Sequence, residues 1–226
     1  MITVVVVGEG QTEETFVRDV LAPAFAVESV FLESRLVRTS TAGRGGALSY
    51  SRVLRHLRNT LRQRQDTYVT TFFDLYGLDN AFPGFLESAA LADPLVRAAA
   101  IETRLNEAVV QEANCRESRF FAHVQPYEFE ALLFADVEKL IEVEPAWKPF
   151  AAQLAAVRAQ VESPEHINDG KDTHPSERLR HILKPGYQKA LHGPLAMRHI
   201  DLSRIGEECR HFVQWLGKLR ALEPLS

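Results

Sequence analysis

The chain has 226 residues, 46% of them hydrophobic and 25% charged, and a formal net charge of −4, the profile of an ordinary globular protein with no internal repeat or low-complexity tract. That length buries a real core, either as one α/β domain with an appendage or as two small domains. Cys115 and Cys209 lie far apart and outside any CxxC pattern, which excludes a disulfide scaffold and points to a reducing, cytoplasmic setting.

The chain opens on a β-branched run, residues 2–7 (ITVVVV). The run has no basic segment before it and is too short for a signal sequence or a membrane span, so it reads as a buried strand and no membrane association is expected. A Gly8-Glu9-Gly10 turn follows, then the helix start Thr12-Glu13-Glu14. This arrangement places Glu9 at the C-terminal edge of a parallel sheet, the rim where open α/β folds bind ligands. A helix is predicted over residues 13–25, with Thr12 as N-cap, an apolar stripe of Phe16, Val20 and Leu21, and Pro23 ending or bending it.

Residues 34–39 are predicted as a second strand, and residues 42–46 (AGRGG) as a glycine-rich connector. Such a loop can wrap a phosphate with its amides, but it lacks the lysine of a nucleotide P-loop. The spacing then predicts a helix over 49–64. Tyr50, Val53, Leu54, Leu57 and Leu61 fall on one face of it, and Arg52, Arg55, Arg58 and Arg62 on the other. Residues 34–65 hold eight arginines (Arg35, Arg38, Arg44, Arg52, Arg55, Arg58, Arg62 and Arg64) and no acid, so the rest of the chain is more acidic than the net charge suggests. Guanidinium forks match phosphate geometry, which makes the arginine row a candidate contact for a nucleic-acid backbone; a solvated helix face explains the same row equally well.

Residues 67–73 (TYVTTFF) form a third predicted strand, ending at Asp74 with Asp79 close behind. A helix is expected over 93–114 and a strand over 119–124. A further helix opens at Tyr127-Glu128-Phe129-Glu130 and runs to about residue 140. Strands alternating with helices predict a mainly parallel sheet covered by helices. Beyond it, helices are expected over 147–161, 177–183 and 205–222, with a polar loop over 163–176 and Ser176 as a helix N-cap. The expected organisation is an α/β core over 1–142 and a helical C-terminal portion over 143–226 packed on it.

The chemistry rests on carboxylates at strand ends: Glu9, Asp74, Asp79, Glu128 and Glu130, with Glu13 one turn up the first helix. Grouped at one rim they would repel each other unless a cation neutralised them. Hard oxygen ligands suit Mg²⁺ or Mn²⁺. Each acid also has a plainer reading: a turn residue for Asp79, helix-start stabilisation for Glu13, Glu128 and Glu130. On a regular helix Glu128 and Glu130 point to different sides, so one of them at most is expected as a ligand, and Glu128 is preferred. The eight histidines form no HExxH motif and the ligand spacing of a zinc quartet is missing.

Glu9 in VVVVGEGQTEETF, Asp74 in VTTFFDLYGLD and the order of elements resemble the TOPRIM fold, especially the overcoming-lysogenization-defect nucleases. PYEFEALLFAD, PEHIND, THPSERL, GYQKALHG and CRHFVQWL resemble domain-of-unknown-function family 4276, a prokaryotic TOPRIM-like group found beside AAA-type ATPases in defence-type neighbourhoods. The resemblance implies a Rossmann-like parallel sheet and phosphodiester chemistry on nucleic acid, chiefly DNA. It also implies Mg²⁺ or Mn²⁺ held by Glu9 and the Asp74 region, with Asp79 or Glu128 completing the site, and an AAA-type ATPase partner. The chain departs from the TOPRIM Asp-x-Asp pattern, because Leu75 and Tyr76 follow Asp74. In the matching C-terminal segments Lys171, Thr173, Ser176, Arg178, Lys189 and His192 are placed to line the same cleft, with Lys171 and Lys189, like Arg44, as further phosphate contacts. Two other readings stay open: a non-catalytic module that docks on an ATPase, and a nucleotide-binding regulatory domain using Gly43 to Gly46.

Overall fold

The structure is a computed structural model that describes residues 1–37, 47–168 and 173–225. Arg38, Arg44, the glycines at 43, 45 and 46, and Lys171 lie outside the described residues. A five-stranded parallel sheet forms the centre, with strand order β2-β1-β3-β4 and β5 also pairing β3. The strands are β1 (Ile2–Gly8), β2 (Val30–Leu36), β3 (Tyr68–Asp74), β4 (Phe120–Phe121) and β5 (Val124–Gln125). The α/β class, the mainly parallel sheet and the helical C-terminal portion are as expected from the sequence.

Both faces of the sheet are covered, which is why β1 reads as a nearly continuous apolar run, while the buried Thr70 and Thr71 of β3 donate their hydroxyls to Phe121 O and His123 O. Val4, Val6 and Phe72 point into one core, Val5, Val7, Val69 and Phe73 into the other, following the two-residue strand period. Helices α3 (Tyr50–Gln63) and α4 (Pro94–Ala113) cover the second face. The first face is covered by α1 (Gln11–Phe16), α2 (Ala22–Ala26) and the C-terminal elements α5 (Val137–Ile141), α6 (Ala151–Ala159), α7 (Pro175–Ile182), α8 (Lys189–His199), α9 (Leu202–Glu208) and α10 (Arg210–Arg220). Trp147, Phe212 and Trp215 are buried here, as core rather than exposed platforms, and Trp215 stacks on Phe72 at 5.2 Å.

Several predicted boundaries move. Gly10, not Thr12, is the N-cap of α1. The helix passes Pro23 through a π-helical turn, Val17–Leu21, and continues to Ala26; the widened turn is a usual way to take up a residue with no amide proton. The second strand lies at 30–36 rather than 34–39. Its register pairs Ile2 with Val30 and Gly8 with Leu36, and as an edge strand it tolerates the half-buried Glu33, Ser34 and Arg35 that blur its alternation. The predicted strand over 119–124 is two short strands parted at Ala122 and His123, because the Ala122 amide turns to Asn106 Oδ1 and the His123 amide to Thr71 Oγ1. The stretch after Glu128 is a 3-10 turn, Phe129–Ala135, and not an α-helix. The closing helix breaks into α9 and α10 at Cys209. Helix α8, unpredicted, contains Gly193 and Pro194. No described helix is long and apolar enough to cross a membrane.

Candidate metal centre

β1 and β3 are neighbours running the same way, with Gly8 opposite Phe72. Glu9 and Asp74 therefore leave the sheet at one rim. Leu48 N donates to Gly77 O at 2.6 Å and Tyr50 N to Asp79 Oδ2 at 3.3 Å, which ties the start of α3 to the same rim.

Around this rim the acids converge on one ammonium. Lys189 Nζ, at the start of α8, lies 2.9 Å from Asp74 Oδ2, 3.1 Å from Glu130 Oε2 and 3.7 Å from Glu13 Oε1. Asp74 is aimed by its other oxygen, which accepts Phe129 N at 2.7 Å. Glu13 is anchored where its Oε2 accepts Gly10 N at 2.9 Å. Glu130 is wholly buried and accepts the Tyr187 hydroxyl at 3.1 Å. Helix α8 reaches this position because Gly193 packs without a side chain against Thr12 of α1, where a Cβ would stand 3.1 Å from the threonine methyl.

Among the described residues the acids outnumber the cations at this rim. Burial and then Asp74 and Glu13 push the Glu9 carboxyl up to about 8. Burial raises Glu130 to about 7, against the pull of Lys189. Glu13 and Asp74 are raised too, burial being the largest cause in each. Burial alone would lower Lys189, but Asp74, Glu130 and Glu13 reverse this and hold it firmly protonated. Glu9 Oε2 is buried with no hydrogen-bond partner, and Glu130 Oε2 has no hydrogen bond beyond its ion-pair contact with Lys189. An all-oxygen donor set of raised proton affinity suits a hard divalent cation in ligand type, and in this structure Lys189 stands where the acids converge.

The structure thus brings Glu9, Glu13, Asp74, Glu130 and Lys189 together. Glu128 sits beside them, in extended backbone before the 3-10 turn, and acts electrostatically on Glu9 and Asp74. Its oxygens are taken by Ser176 N at 2.9 Å, Ser176 Oγ at 3.2 Å and His174 Nδ1 at 3.1 Å. Preferring Glu128 to Glu130 therefore reverses their depth: Glu130 faces Lys189 and Glu128 is held one step out. Ser176 is not the N-cap of α7, which is His174. Asp79 is spent on backbone amides of Tyr50 and Ala81. Lys189 turns inward to the acids instead of outward to phosphate. His192 is buried edge-on to Trp147 at 4.6 Å, and its Nδ1 accepts Gln188 N. Arg52, Arg55 and Arg62 of α3 are exposed and Arg58 half-buried. Arg52 and Arg55 border a shallow cavity of about 360 Å³ with Val37 and His56, whereas Arg62 reaches Glu112 O, on α4.

A second cluster has no signature in the sequence. Glu102 of α4, His123 between β4 and β5, and His211 of α10 offer ligand-type atoms within 4.8 Å of one another, all buried. Glu102 Oε1 accepts Val124 N at 2.9 Å, stands 2.7 Å from His211 Nε2 and 3.5 Å from His123 Nδ1. Burial would raise Glu102, but hydrogen bonds from both histidines pull it down to about 2. His211 is raised by Glu102 despite its burial, and burial lowers His123 to about 4. The group reads as a buried ion pair beside a neutral imidazole. Next to it the buried Glu165 accepts the first amides of α10, His211 N at 2.8 Å and Phe212 N at 3.0 Å.

A sequence model of the family described as Domain of unknown function (DUF4276) matches residues 8–220. The chain belongs to this family. The five segments that carry the family resemblance lie within the matched residues, and in this DUF4276 member all five contribute to the two clusters or their surroundings: Glu128 and Glu130, Glu165, Ser176, Lys189 with Gly193, and His211. No curated protein and no solved structure matches the chain.

Proposed function

We propose that this DUF4276 chain is a divalent-metal-dependent phosphodiesterase acting on nucleic acid, as the TOPRIM resemblance implies. The observation that supports the reading is the half-buried Glu9 beside the buried Glu13, Asp74 and Glu130, with Lys189 the one ammonium among them in the described residues. Glu9, Asp74 and Glu130 are the residues that would hold Mg²⁺ or Mn²⁺. Bound there, such an ion supplies positive charge for a phosphoryl oxygen and acidifies water. The chain's own part is positioning. Phe129 N fixes Asp74, Gly10 N fixes Glu13, and Tyr187 fixes Glu130. Lys189 would have to leave Asp74 and Glu130 to meet an incoming phosphate, a move that its flexible stem permits. Arg52 and Arg55 stand near the rim-side end of α3, where they suit flanking phosphates.

The experiment is cleavage of plasmid and single-stranded DNA in Mn²⁺ or Mg²⁺. Wild type is expected to cut, and Glu9→Gln or Asp74→Asn to abolish cutting while circular dichroism and Tm hold. No cleavage in either metal, or full activity in both variants, would sink the proposal. One observation favours the second reading, a non-catalytic module docking on an AAA-type ATPase: Lys189 already satisfies Asp74 and Glu130 as a plain structural ion pair would. That reading predicts no cutting and unchanged partner binding in the same variants.

A further inference from the structure

Beside the carboxylate rim lies an aromatic surface that hydrolysis alone does not use. Tyr76 follows Asp74 by two residues, in the 3-10 turn Leu75–Gly77, and is 43% exposed. Tyr127 immediately precedes Glu128, and its backbone takes a left-handed φ of 58°, a costly conformation for a bulky residue and one that concentrates at functional sites. In that conformation Tyr127 O accepts Tyr76 N at 3.1 Å, and the two rings lie 5.4 Å apart. His174 stands edge-on to Tyr76 at 5.7 Å while its Nδ1 contacts Glu128 Oε2. The Asn168 amide donates to the Tyr76 hydroxyl and so orients the ring. On the neighbouring side Arg97 has a buried Nε with no hydrogen-bond partner, and its guanidinium lies 5.1 Å over the Phe85 ring.

A tyrosine this large is usually buried, or turned so that its hydroxyl alone meets water. Here much of the ring is open, next to the acids and braced by a strained neighbour. Every nucleobase has a π-face, so such a ring captures unpaired bases with little regard to sequence. Bases stacked inside a duplex are unavailable to it without an unstacking cost.

We propose that Tyr76, braced by Tyr127 and His174, is a stacking platform for an unpaired nucleobase, so that the substrate is single-stranded nucleic acid laid across the carboxylate rim with a phosphate toward Arg97. The choice of ligand rests on the phosphodiesterase reading. The geometry needs no base-specific hydrogen bond, so binding should be tolerant of sequence.

The test is fluorescence anisotropy with a labelled mixed-sequence oligonucleotide in Ca²⁺ buffer. DNA and RNA versions are each measured single-stranded and as blunt duplex, which distinguishes the two sources of unpaired base. Single strands should bind about tenfold tighter than duplex, Tyr76→Ala should lose about tenfold on single strands only, and Tyr76→Phe, which keeps the ring and loses the Asn168 bond, should stay within about twofold. Equal affinity for duplex, or an unchanged single-strand affinity in a Tyr76→Ala protein of wild-type Tm, overturns the platform. The Mn²⁺ cleavage assay separates the two claims. Cutting that persists with a silent Tyr76→Ala refutes the platform alone; single-strand binding lost in Tyr76→Ala without any cutting supports the platform and counts against hydrolysis.

Discussion

Replacing Glu102 by glutamine should destabilise the protein by a predictable amount. Glu102 is 6% exposed, so solvent screening removes little of its interaction energy. Its carboxyl is pulled from 4.5 to about 2 by His123 and His211 despite burial. At about 1.4 kcal/mol per pKa unit, that shift corresponds to about 3 kcal/mol of stability at neutral pH. Glutamine keeps the shape and can still accept Val124 N, but it removes the carboxylate charge that favours protonation of His211, and with it the attraction between the two. Because the folded pKa lies below the unfolded value of 4.5, the stabilisation is complete above that pH and fades as pH falls toward about 2. His123, lowered to about 4, acts in the same direction: it is buried neutral and must take up a proton as the solution is acidified. Urea unfolding of wild type and Glu102→Gln at pH 7 and at pH 3.5 measures the gap. It should be about 3 kcal/mol at pH 7 and clearly smaller in acid. Equal stability at pH 7, or a gap that does not change with pH, would refute the ion-pair reading of this cluster.

Three further outcomes follow from the rim. Lys189→Met removes the one ammonium that the described residues place among the acids, so metal-free protein should lose about 3 kcal/mol, and millimolar Mn²⁺ should raise its Tm more than that of wild type; no metal effect on Tm in either protein would count against a cation site. A Cβ on Gly77 would collide with the Glu9 carboxylate, so Gly77→Ala should cut Mn²⁺-dependent cleavage about 100-fold with no change in charge, and full activity would show that the position of Glu9 is irrelevant. Arg52→Ala with Arg55→Ala should weaken oligonucleotide binding alike for all sequences and lower the salt slope by about 2; an unchanged slope in a salt titration would remove these arginines from the interface.

The legible part of the molecule is the part where one local pattern has one outcome. A β-branched run ending at an acid within a glycine turn points to Glu9, and TYVTTFF ending at Asp74 points to a second rim acid, because parallel strands buried on both faces are rich in β-branched and aromatic residues. The face of α3 was legible for the same kind of reason: Val53, Leu57 and Leu61 recur at the helical period and are buried. The place of Glu130 is not legible, because the sequence after Tyr127 predicts a regular helix, whereas the extended backbone at Glu128 and the 3-10 turn after it change which acid faces Lys189. Lys189 is singled out in the sequence only by the family segment GYQKALHG; Gly193 and Pro194 hide α8, and with it the ion pairs of Lys189 with Asp74 and Glu130. Glu165, His123 and His211 were invisible since their partners lie 40 or more residues away in the chain or on other elements, and no spacing encodes that.

These misses share a cause that bears on how the protein is built. Each lies where the C-terminal half meets the sheet. Val4, Val6, Phe16 and Phe72 from the first half pack in one core with Trp147, Phe212 and Trp215 from the second, so residues 143–226, together with α1 and α2, form one of the two layers that the sheet needs in order to be covered. The same segments fix the acids: Ser176 holds Glu128, Tyr187 holds Glu130, Lys189 pairs with Asp74, and Glu165 caps α10 against the edge of β5 through Gln125. A strand-end carboxylate on a bare sheet would ionise freely in water. It is the helical layer that takes these acids out of solvent and raises their proton affinity, and so creates the demand for a cation on which the proposed chemistry depends.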